Sequence, residues 1–110
     1  MNNWGIPKWL EDEVRARDER CVYCGVVFAG REGPRRCRPS WEHIVNDARI
    51  VTPQNIVLCC IGCNSSKGAK DLLVWLSSKY CVDRQISEDT VSEVVKAAID
   101  NMRLARGGDA

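Results

Sequence analysis

Asn55-Ile56-Val57-Leu58-Cys59-Cys60-Ile61-Gly62-Cys63-Asn64-Ser65-Ser66-Lys67-Gly68 is the stretch that decides the fold. Its first six residues are largely β-branched and apolar and read as a strand. Cys60 and Cys63 form a CxxC pair where that strand gives way to a short helix, expected over 61–67 and broken near Gly68. Upstream, Cys21-Val22-Tyr23-Cys24-Gly25 is a second CxxC pair, with a glycine that permits a tight turn. Four thiolates from two such knuckles suit one tetrahedral zinc ion with no open position for water, a structural site. Cys59 is the competing ligand beside Cys60. Neighbours on a strand point to opposite faces, and Cys60 repeats the Cys21-to-Cys24 spacing, so Cys60 is assigned to the metal and Cys59 to the core.

Outward from the knuckles, Pro7 suits the first turn of a helix running to about Arg17, with Leu10 and Val14 on one face. Residues 29–39 read as a loop punctuated by Gly30 and Gly33-Pro34. Ser40 to Val45 alternates as a short strand, with Asn55 to Cys60 as its partner across a long connection. Beyond Gly68, Leu72, Leu73, Leu76 and Tyr80 keep helical spacing. Ser87 is the expected N-cap of a last helix through Met102, with Gly107-Gly108 after its end. The expected class is α+β: one domain over 1–110, a core over about 15–70, an N-terminal helix and two supporting helices over about 70–106.

At 110 residues the chain is small enough for a metal to replace missing core. Seven cysteines without a charged, apolar leader at the N-terminus point to reduced thiols and metal rather than disulfides. No apolar run approaches bilayer length. The expected setting is therefore intracellular, away from membranes. Cys37, Cys59 and Cys81 are assigned as buried or idle thiols. Net charge is only +1, but residues 31–70 carry seven basic against three acidic side chains, so the basic excess coincides with the cysteine-framed segment.

Inside that frame lie Trp41-Glu42-His43-Ile44-Val45, then Asn55, then Cys63-Asn64-Ser65-Ser66-Lys67-Gly68. Order, spacing and residue type resemble the HNH endonuclease family, over roughly residues 15–70 and including Arg17-Asp18. The pattern is also similar to the HNH domain of RNA-guided DNA-cutting enzymes. The resemblance implies a ββα-metal core and metal-dependent hydrolysis of phosphodiester bonds. It implies His43 as the general base that takes a proton from water. Glu42 and Asn64 become ligands of a catalytic Mg²⁺ or Mn²⁺, and Asn55 ties down the loop after His43. Lys67 becomes a phosphate contact, and Arg35, Arg36 and Arg38 hold the DNA backbone, which gives affinity without sequence information. It also implies 5′-phosphate and 3′-hydroxyl ends. Two positions depart from the family pattern: Glu42 stands where Asp is commoner, and Asn46 where proline commonly follows. One site cuts one strand, so a monomer nicks, and double-strand cleavage needs a homodimer or sequential nicks. Specificity is expected to be weak or borrowed from a partner. Two other readings compete: a non-catalytic zinc-binding module for DNA or protein, and an RNA-cutting relative.

Overall fold

The computed structural model describes residues 4–107. Helix α1, Lys8–Arg17, starts directly after Pro7, whose fixed φ suits that position. Its apolar stripe of Leu10 and Val14 is fully buried with Ile6 against Ile56 and Leu58. The chain then enters the first knuckle. A 3₁₀ turn, Arg35–Cys37, leads into β1, Pro39–His43, and a long loop returns as β2, Ile56–Cys60. The strands pair antiparallel, with Trp41 opposite Leu58 and His43 opposite Ile56. Every residue of β2 is buried, because α1 covers one face of the ribbon and the larger core the other. Helix α2, Ile61–Lys67, follows β2 without a break and ends at Gly68, whose φ of +52° favours a residue without Cβ.

The expected helix over 69–80 is two. Helix α3, Leu72–Leu76, is capped by Asp71, and α4, Lys79–Asp83, by Ser78, whose hydroxyl accepts from the Cys81 backbone amide. The hydrophobic spacing continues through the break, but the cap supplies an alternative hydrogen bond that restarts the helix. The last helix, α5, Glu93–Ala105, begins after Ser92 rather than Ser87. Ser87 instead closes a turn, its hydroxyl accepting from the Asp89 amide while its own amide donates to Thr90. The supporting helices are therefore three, not two, and β1 and β2 each begin or end within two residues of the expected bounds. Gly107, at a φ of +64°, follows α5; Gly108 lies outside the described residues. The fold is mixed α+β, with five α-helices among the described residues around one two-stranded sheet.

The main core packs Tyr23, Val57, Leu72 and Trp75 against Ile99 and Val95 of α5. Trp75 is its hub. It meets Tyr23 edge-on at 5.0 Å, stacks on Tyr80 at 5.9 Å, and donates its indole N–H to Ser66 Oγ at 2.9 Å. The N-terminal half of β2 is held from outside by Asp18, which accepts from the Leu58 amide. Arg17, forked onto Asp18, donates to the carbonyls of Pro53 and Ile56. Among the described residues no helix is long and apolar enough to cross a membrane.

Candidate functional site

The four sulfurs of Cys21, Cys24, Cys60 and Cys63 lie within 4.8 Å of one another. Cys24 and Cys60 approach to 3.8 Å, far beyond the ~2.0 Å of a disulfide. A tetrahedron of ligands about 2.3 Å from zinc has edges of about 3.8 Å, so the spacing fits that ion. In each knuckle the second cysteine's amide is directed at the first sulfur, Cys24 to Cys21 at 3.5 Å and Cys63 to Cys60 at 3.4 Å. Amides so placed favour thiolate over thiol. Tyr80 adds its hydroxyl to Cys63 at 3.4 Å. The Cys21 thiol is pulled far down by hydrogen bonds from Cys24, Cys60 and Cys63, while Cys63 is pushed up by Cys21, Cys24 and Cys60. Four sulfurs that cannot all hold negative charge unaided are a fitting set for a cation.

Cys59 is turned away from the cluster, fully buried beside Ser40. Burial pushes its thiol up, so it is a neutral core residue. Cys81 is likewise buried, and Cys37 is half-buried.

Glu42 and its neighbours occupy the side of the ribbon that faces α2. The carboxylate is buried; its Oε2 takes Lys67 Nζ at 2.8 Å and the Tyr23 hydroxyl at 3.1 Å. Burial raises the Glu42 carboxyl above its ordinary value, and Lys67 pulls it back part of the way. Lys67 is 0 % exposed, and its three ammonium donors meet three internal acceptors: Glu42 Oε2, Ile44 O at 3.1 Å and His43 O at 3.5 Å. The expected phosphate contact by Lys67 is thereby overturned: nothing of the ammonium is left for a ligand, and no surface of it is reachable.

Asn64, on the same helix, donates both amide hydrogens to β1, to Ser40 Oγ and Trp41 O at 3.0 Å each. Its Oδ1 is the atom that remains for a ligand. Asn64 lines a groove of about 270 Å³ with Arg35, Ser40, Ile61 and Ser65. Asn55 spans the loop after β1: Oδ1 accepts from the Val45 amide at 2.8 Å, and Nδ2 donates to Val45 O and Ile50 O at 3.1 Å each. We expect Asn55→Ala to cost about 2–3 kcal/mol in urea unfolding, since it strips three bonds from a buried site. His43 closes β1 where that loop begins. Its Nε2 is buried with no hydrogen-bond partner.

Of the three arginines, Arg35 and Arg36 are exposed. Arg38 is not: it folds back on its own loop, donating to the carbonyls of Arg31 and Gly33. Arg38 is half-buried, and the loop contacts use one of its three guanidinium nitrogens. Trp75 is not singled out by the sequence; Tyr23 shows there only as the aromatic inside the first knuckle, and Tyr80 only through its helical spacing. Comparison of the chain with protein-family models, with curated proteins and with solved structures finds no match in any of the three.

Proposed function

We propose that this protein is a divalent-metal-dependent DNA endonuclease of the HNH, ββα-metal kind, braced by a four-cysteine zinc site. The observation that carries this reading is the His43 imidazole, held at the end of β1 with a buried Nε2 and no partner. Buried polar atoms are nearly always hydrogen-bonded, and an exception calls for an explanation such as a catalytic role or a bound water or ion. Arg38 Nε and Ser92 Oγ share this state, but of the three only His43 can accept a proton. A zinc-binding module alone gives no reason for that unpartnered nitrogen, nor for the amide clamp of Asn55 behind it.

On this reading His43 accepts the proton of the attacking water, and Asn55 keeps the loop from carrying the ring away. Asn64 Oδ1 is the leading ligand for a magnesium or manganese ion, whose hard charge suits amide, carboxylate and phosphate oxygens. Glu42 has one oxygen, Oε1, left for the same ion. Its charge is already balanced by Lys67, so the phosphate supplies most of the anionic character. A bound divalent ion would stabilise negative charge on the phosphate and leaving oxygen. The exposed Arg35 lines the Asn64 groove, where an approaching DNA backbone would meet its positive charge, while the exposed Arg36 lines a separate pocket beside Cys24 and Cys60.

The test is nicking of a supercoiled plasmid by purified protein. We expect cutting that requires magnesium, stops with chelator, and falls by about 10²–10⁴-fold in His43→Ala. Equal cutting by that variant sinks the general-base role. Absence of cutting by the intact protein on plasmid, single strands and RNA favours the zinc module instead.

A further inference from the structure

Helix α2 grips β1 and the residue after it at five successive positions. Asn64 donates to Ser40 Oγ and the carbonyl of Trp41, and Lys67 to the side chain of Glu42 and the carbonyls of His43 and Ile44. Lysine is among the residues least often fully buried, and an ammonium on a short helix has a ready route to water through its flexible stem. Here the stem instead runs inward and all three donors are spent on one strand end. Two of those acceptors are the peptide oxygens on either side of the Ile44 amide, itself bonded to Asn55 O at 2.9 Å. The backbone that carries the imidazole is thus held from α2 by Lys67 and from the returning loop by Asn55.

We propose that Lys67 is a positioning residue: by holding the carbonyls of His43 and Ile44 to α2, it sets where the His43 ring stands relative to Asn64. The inference rests on the nuclease reading for its consequence in turnover, but not for its geometry. Lys67 touches no substrate and acts only through the peptide groups of the strand. Glu42 serves to keep the ammonium aimed, and Tyr23 steadies the carboxylate from the first knuckle. A displacement of the base by about 1 Å is enough to cost on the order of 10²-fold in rate.

The chain has a single histidine, so one imidazole signal in an NMR spectrum reports His43 without ambiguity. The experiment compares that signal, plasmid nicking and DNA affinity in wild type and Lys67→Met, counting only folded, metal-loaded molecules. We expect the His43 signal to move and turnover to fall on the order of 10²-fold at unchanged DNA affinity. Unchanged turnover in the folded variant overturns the proposal. If Lys67→Met does not fold, the double substitution Glu42→Gln with Lys67→Met removes both charges and is read against Glu42→Gln alone. If wild type cuts nothing, the nuclease reading fails separately; an unmoved His43 signal would then still overturn positioning, and a moved one support it.

Discussion

Cys63→Ala is expected to cost this protein its bound metal and, with it, its cooperative fold. Cys63 is 0 % exposed, lies in the first turn of α2, the helix that carries Asn64 and Lys67, and receives the Tyr80 hydroxyl. An ion held by the four cysteines would join the knuckle after α1 to the junction of β2 and α2, where Cys24 and Cys60 stand 36 positions apart in the chain. Structural zinc contributes about 10–16 kcal/mol of apparent binding energy in small zinc-folded peptides. Domains of this size are stable by only about 5–15 kcal/mol in total, so losing even part of the metal's contribution is enough to unfold the centre. Metal analysis of wild type should find about one zinc per chain. The variant should retain little, and its thermal transition should broaden or vanish. Cys59→Ala supplies the contrast. It removes one buried sulfur from a neutral core position, so zinc content should stay at the wild-type level with a loss of about 1–2 kcal/mol. Metal loss in Cys59→Ala, with retention in Cys63→Ala, would invert the ligand assignment.

The distinction between Cys59 and Cys60 was legible before any coordinates, because strand alternation is a local rule and β2 obeys it. The two knuckles, α1 and α2 were legible for the same reason: proline, glycine and cysteine spacing act over a few residues. What escaped was non-local or a contest between local options. The break at Ser77-Ser78 hides inside a continuous hydrophobic spacing, and the choice between Ser87 and Ser92 as a helix start turns on which turn packs Val91 and Val95 inward. Lys67 was hardest of all. A lysine near the end of a short helix reads as a surface cation, and its burial depends on Glu42, 25 positions away, and on two carbonyls that any sequence would supply. In the candidate site, residue types single out Glu42, His43, Asn55, Asn64 and Lys67, while which of their polar atoms are already bonded within the fold is shown only by the geometry.

The Glu42–Lys67 pair should respond more strongly to losing one partner than to losing both. A buried charge deprived of its counter-ion costs about 3–5 kcal/mol, whereas replacing the whole pair by neutral groups of similar size is often close to neutral. Glu42→Gln preserves an acceptor for the Tyr23 hydroxyl but strands the ammonium, and Lys67→Met strands the carboxylate. Each single variant should therefore lose about 3–5 kcal/mol in denaturant unfolding, and the double variant should recover most of it. Additive losses would show that the two side chains are not coupled. The pH response has a defined sign. Burial already holds the Glu42 carboxyl above its ordinary value of 4.5, and Lys67 is the largest influence pulling it down. Lys67→Met removes that pull, so the carboxyl rises further and binds its proton more tightly in the folded state than in the unfolded one. Stability attached to that proton is fully present below about pH 4.5 and is lost as pH climbs through the raised folded value. The Lys67→Met deficit should accordingly shrink on acidification towards pH 5 and grow towards pH 8. A deficit that deepens on acidification would place the buried charge on some group other than Glu42.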